Sequence, residues 1–152
     1  MKFSTNWSHV KPSKEANKCP SHQLSQLGIP VLGTLDEPVH AVNLDVVRQT
    51  IIYRYPHHFV IAVDACLGKF EHVGRIDVED SPLHPGAGVK KELGEIGDIS
   101  ITGIVNVSGY MEFFVLQNTR LSEVMRMADE TVKGITEFLE ARSLQEVAAG
   151  AS

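Results

Sequence analysis

Apolar positions along the chain fall into separate periods. From Phe59 to Val63 five consecutive residues, Phe-Val-Ile-Ala-Val, are apolar. A run of that length between polar segments predicts a β-strand covered on both faces. Ahead of it, Leu44, Val47 and Ile51 recur at spacings of three and four, with Val46 beside them, and this predicts a helix. Asn43 suits its N-cap and Asp45 its first turn. Tyr55-Pro56 ends it, because proline disfavours the α conformation in the residue before it.

Upstream, Leu24 and Leu27 read as the end of a short helix stopped by Gly28, and Ile29 to Leu35 as a short β run ending in the acidic loop Asp36-Glu37-Pro38-Val39-His40. Downstream, Val73 to Val78 alternates and predicts a half-exposed strand at a sheet edge. Ser81 to Gly88 is a Pro/Gly loop, and Lys90 to Leu93 reads as one helical turn. Asp98 to Val107 predicts a further strand, whose Gly103 marks a bend or a close backbone approach. Leu121, Val124, Met125, Ala128, Val132, Ile135 and Leu139 follow the helical rule. They predict a helix from about Tyr110 to Glu140 with a break near Thr119. The order β–α–β–(β)–loop–β–α predicts an α/β sandwich around a mainly parallel sheet. Residues 1–21 are polar and aperiodic and read as a tail, 22–142 as the single domain, and 143–152 as a frayed end.

Composition narrows the function classes. The chain has 152 residues, 43% hydrophobic and 22% charged, with a net charge of −5. That is one domain of ordinary size. Its charge gives no electrostatic support for nucleic-acid binding, and no basic run suits an anionic membrane surface. The apolar stretches are far shorter than the ~20 residues of a membrane span, and the first residues carry no secretory h-region. These features predict a cytoplasmic protein. Cys19 and Cys66, its two cysteines, form no framework and no C-x-x-C pair.

Asp64 is the leading candidate for chemistry. It follows the apolar strand directly, at the sheet edge where α/β proteins bind ligands, and partial burial there would raise its pKa toward acid–base use. The alternative is an aspartate that accepts backbone N–H bonds within its loop. Asp36 and Glu37 end the preceding run in the same sense, and carboxyls sharing a crevice have their pKa values pushed apart. For Glu37 a solvated turn is the competing reading. His40, Gly86, Ala87, Gly88 and Asn106 are candidate substrate-binding residues. Pro85-Gly-Ala-Gly88 could wrap an anion with its N–H groups or simply turn tightly; it has neither nucleotide-binding glycine pattern. Cys66 reads as a small buried thiol or as a nucleophile with His40 as base. Among the seven histidines, His40 and His84 with Asp64 give a metal alternative of undiagnostic spacing; no cofactor and no metal is expected.

Four stretches carry a resemblance: G-T-L-D-E-P-V-H-A-V-N-L (Gly33 to Leu44), V-D-A-C-L-G (Val63 to Gly68), P-G-A-G-V-K-K-E-L (Pro85 to Leu93) and the long segment from Gly97 to Leu121. Over residues 22 to 140 the chain resembles the YyaC-type sporulation proteins, relatives of the spore germination protease and similar in fold to the hydrogenase maturation endopeptidases. The resemblance implies a three-layer α/β/α sandwich of phosphorylase/hydrolase-like type and an aspartate pair acting on a peptide bond of a spore protein. Asp64 matches the second acid of that pair. In the maturation endopeptidases the corresponding acid is a nickel ligand, which implies a metal-dependent peptidase as an alternative; a non-catalytic binding module is another. YyaC-type proteins begin with an apolar strand and a loop of the form G-T-D-R-S-T-G-D-x-L-G-P. Nothing similar occurs before His22, so the resemblance implies a domain truncated at its N-terminus, without the first strand and the first acid.

Overall fold

The computed structural model describes residues 20–34, 36–85, 93–109, 115 and 117–150, with side chains followed as far as 142. The elements are helix α1 (Pro20–Gln26), helix α2 (Leu44–Arg54), strand β1 (Ile61–Gly68), a 3-10 turn (Phe70–His72), strand β2 (Ile76–Glu79), strand β3 (Ile99–Val107) and helix α3 (Leu121–Gly150). They form a small mixed α/β unit. Its three strands lie in the order β1-β3-β2. β1 runs parallel to β3, and β2 antiparallel to it. The sheet is therefore mixed, whereas the sequence suggested a mainly parallel one. The alternating segment after β1 returns along the far side of β3 instead of crossing over.

α1 stops where expected. Gly28 adopts φ +76°, a left-handed conformation open to glycine. α2 also has the expected limits, but Asn43 does not cap it through its side chain. The Asn43 amide is engaged upstream: its Oδ1 accepts the His40 N–H at 2.8 Å and its Nδ2 donates to the Pro38 carbonyl at 3.0 Å. It thus fixes the loop that delivers α2.

Two expectations fail. Residues 29–34 form no strand. A strand exists only against a partner, and this segment has none among the described residues; it ends in a turn in which Thr34 N–H donates to the Glu37 carbonyl at 3.1 Å. The strand read as ending at Val63 instead begins at Ile61 and continues to Gly68. Ala65, Cys66 and Leu67 keep their pairing with Gly103, Ile104 and Asn106, so the ladder carries the chain past its one charged residue. The register is pinned at its start. Asp98 N–H donates to the Val60 carbonyl at 2.8 Å, and Asp98 Oδ2 accepts the Val60 N–H at 2.7 Å.

The core lies between the sheet and α3. Leu67, Val105 and Met127 are buried together, with Ala65, Ile76 and Val124 packed round them. Gly103 lets α3 approach: a Cβ there would lie 3.1 Å from Met127 Cε. α3 begins at Leu121, after the interruption expected near Thr119, and it continues to Gly150, beyond the expected end at Glu140. The earlier part of the predicted helix (110–114 and 116) and the predicted turn at 90–92 lie outside the described residues.

Candidate functional site

Pairing places side chains on faces. Residues that are Cα partners in a sheet point the same way, and successive residues alternate. Ala65, Gly103 and Val105 face α3, and Leu67, past the register shift between Cys66 and Leu67, packs with Val105 and Met127 on the same side. Asp64, Cys66, Ser100 and Thr102 therefore face the other side. The register sets Asp64 opposite Thr102, and Thr102 opposite Asp77. A row of three polar residues, Asp64–Thr102–Asp77, crosses the sheet. The next row is Ala62–Ser100–Glu79, whose Ser100 is 3% exposed.

Asp64 sits in the middle of β1, not beyond its carboxyl end as the sequence suggested. It nevertheless lines a crevice of about 1460 Å³ that wraps the outer edge of β1. One wall is α3, through Val132, Ile135 and Leu139, and the other includes Leu44, Val47 and Ile51 of α2. Asp64 Oδ1 accepts the N–H of Ala65 at 2.8 Å. Burial raises the pKa of its carboxyl, and that hydrogen bond offsets part of the rise. Cys66 lines the same crevice. Burial pushes its thiol pKa up, and the carboxylates of Asp64 and Asp77 add to the rise. Both aspartates acting on one thiol fits the shared face. A thiol so disfavoured as thiolate is a poor nucleophile.

Of the other candidates, Asp36 lines the crevice and is exposed, in the turn after residues 29–34. Glu37 is exposed beside it, its N–H donated to Thr34 Oγ1 at 3.1 Å, in a turn rather than at a strand end. His40 lines the crevice, and its Nδ1 accepts the Val42 N–H at 3.2 Å. His84 lines it as well, with Nδ1 3.5 Å from Glu95 Oε1, beside the bridge between Leu83 and Ile96. Asn106 is held internally: its Nδ2 donates to Thr119 Oγ1 at 3.1 Å and to the Val115 carbonyl at 3.3 Å. That ties β3 to the segment entering α3. Gly86, Ala87 and Gly88 lie outside the described residues. Among the described residues no group of three or more His, Cys, Asp or Glu is gathered as a metal ion would require.

Thr102 and Asp77 did not stand out in the sequence. The only signal was the alternation of polar residues at 98, 100 and 102 and at 75, 77 and 79. Asp77 is ion-paired to Arg75 at 2.7 Å. Two strand spacings separate it from Asp64, ~10 Å between Cα atoms.

Comparison with known proteins adds kinship. A family model described as "Protein of unknown function (DUF1256)" matches residues 21–134. An uncharacterized protein, YyaC, of Bacillus subtilis (strain 168) is 56% identical over 106 residues, which cover 70% of this chain and 52% of that protein. The chain thus spans about half the length of the curated relative it matches. No solved structure matches.

Proposed function

The chain belongs to the DUF1256 family, and we propose that it is a sporulation-associated peptide hydrolase whose crevice works through Asp64. The observation that carries this reading is a half-buried carboxyl of raised pKa, set on a strand edge inside a large apolar crevice. A group with that environment holds and releases a proton nearer neutral pH than an exposed aspartate does. The association with sporulation and the proteolytic chemistry come from the resemblance set out in the sequence analysis. The same resemblance supports a three-layer α/β/α sandwich and a spore protein or peptide as substrate, and the sequence features set out there support a cytoplasmic setting.

In this scheme the Asp64 carboxylate takes a proton from water as the oxygen attacks the peptide carbonyl carbon. A second carboxyl then protonates the departing amide nitrogen. Asp36 and Glu79 both line the same crevice, and Asp36 is the second acid in this scheme. Asp77 is unsuited, because it is ion-paired and ~10 Å away, too far to share a proton with Asp64 directly.

A second reading is a non-catalytic peptide-binding module. It is favoured by the hydrogen bond that turns Asp64 Oδ1 onto the Ala65 N–H, a use of the carboxylate that is structural. One experiment separates the two. The purified chain is incubated with small acid-soluble spore proteins and the products are read by mass spectrometry. Hydrolysis predicts new termini that vanish in Asp64→Asn. Cleavage unchanged in that variant removes Asp64 from the mechanism, and binding without new termini favours the module.

A further inference from the structure

We propose that the crevice takes an extended peptide of alternating basic and apolar residues, added as a strand to the free edge of β1 with a basic side chain against Asp64. This rests on reading the crevice as a peptide site, and not on hydrolysis.

The free edge comes first. Val60 gives its carbonyl to Asp98, and Gly68 gives its carbonyl to Ser108 at 2.7 Å, both on the β3 side. Backbone groups alternate along a parallel strand. Ala62, Asp64 and Cys66 therefore address β3, while Ile61 and Val63 turn their N–H and C=O groups into the crevice; Ala65 turns the same way, but its N–H is held by Asp64 Oδ1 at 2.8 Å and only its carbonyl is left for a partner. Among the described residues no other strand pairs with β1. The segment 29–34 also lines the crevice, and its residues Val31 to Gly33 make no backbone hydrogen bond among the described residues. Two unpaired stretches of backbone thus line one cavity. Unpaired peptide groups in an apolar setting are costly, and an inserted strand meets that need. β1 has eight residues, ~26 Å of ladder, enough for a peptide of about eight residues.

Side-chain alternation then sets the composition of the occupant. One set of its side chains points to the α3 wall, where Val132, Ile135 and Leu139 are apolar. The other set points to the face that carries Asp64. Among the described residues lining the crevice, the carboxylates Asp36, Asp64 and Glu79 stand against one guanidinium, Arg142, and no lysine. A cation beside Asp64 restores the ionised form that burial disfavours. The carboxylate already sits at the open edge, on the Ala65 N–H, within the path a new strand would follow.

The test is fluorescence anisotropy of the full chain with three labelled, end-capped eight-residue peptides. One alternates Val and Lys, one alternates Val and Gln, and the third is the Val/Lys peptide N-methylated on the alternate amides that would face β1. The Val/Lys peptide is expected to bind about tenfold more tightly than Val/Gln. N-methylation is expected to weaken binding by about tenfold or more. Asp64→Asn should bring the Lys and Gln affinities within about threefold of each other, with a circular-dichroism spectrum matching the parent's to show that the variant folds. Asp129→Asn, an exposed acid on α3, should leave the preference unchanged. Equal Lys and Gln affinities, a preference insensitive to Asp64→Asn, or indifference to N-methylation each overturns the proposal. So does a dimer in sedimentation velocity that excludes the peptide, since a second copy would then hold the edge. Tighter binding after Gln replaces Lys2, Lys11, Lys14 and Lys18 would assign the groove to the chain's own basic segment, and also overturns it. Selective binding without cleavage leaves this inference standing and sinks hydrolysis; cleavage with no basic preference does the reverse.

Discussion

The two edges of the sheet are built differently. β2, at one edge, has four residues, Ile-Asp-Val-Glu, and carries the Arg75–Asp77 ion pair beside it. Short length and charge are the usual means of keeping an edge from pairing with another chain. β1, at the other edge, has eight residues with Asp64 as its single charge, and no lysine or proline. Its exposed Val63, 56% accessible, opens onto the crevice. One edge is blunted; the other keeps the properties of a strand acceptor. The contrast teaches that accessibility alone does not mark a site. Among the described residues β1 and β2 each pair with β3 alone, yet only β1 combines length, apolarity and a carboxylate at the crevice.

Breaking the comparison at its most costly point means cutting into β1 where it meets the core. Leu67 is 8% exposed and packs with Val105 and Met127. Leu67→Ala should cost about 2–5 kcal/mol in urea unfolding, because the cavity left behind cannot collapse fully. Val78 of β2 faces the same side of the sheet but is 65% exposed. Val78→Ala should change stability by no more than about 0.5 kcal/mol. Equal costs would mean that the two edges bear equally on the core.

A smaller effect sharpens the comparison at Asp64. Burial raises its folded pKa above the ordinary value of 3.8. The native state then keeps a proton at pH values where the unfolded chain has released it, so the group lowers stability as pH rises from 3.8 through the folded pKa. Above that window the penalty is fully present; below it the penalty is gone. Asp64→Asn should therefore melt higher than the parent at pH 7, with the difference closing below about pH 3. Thermal unfolding of both proteins across that range measures it. A parent more stable at pH 7 would show that the Ala65 hydrogen bond outweighs the desolvation.

How far this contrast was legible in the sequence depends on range. β3, α2 and the break before α3 were legible because their periods and stop signals are local. Gly103 announced a close approach, and Met127 supplies it. The extent of β1 was not legible: Asp64 looks like the end of an apolar run, and only the ladder to β3 shows that the strand continues. Residues 29–34 have strand composition but lack a partner, and pairing is never a property of one segment. The row Asp64–Thr102–Asp77 joins three distant segments through register, so the sequence offered Asp64 and Asp36 but could not relate Asp64 to Asp77.

The smallest expected effect tests whether β2 is guarded cheaply. Arg75 and Asp77 are both partly exposed, at 56% and 33% of their side-chain surface. Their attraction is screened by water and offset by the entropy of holding two side chains in place. Arg75→Gln should therefore cost about 0–1 kcal/mol in urea unfolding, less at high salt than at low salt. If the pair serves mainly to keep the edge from pairing, the variant should instead reveal itself in association. Its sedimentation coefficient should rise with concentration where that of the parent stays constant, since a charge that guards an edge has been removed while the strand persists. A loss above about 2 kcal/mol, with no change in association, would overturn this assignment. The ion pair would then hold β2 against β3, and the guard would have to be the shortness of the strand.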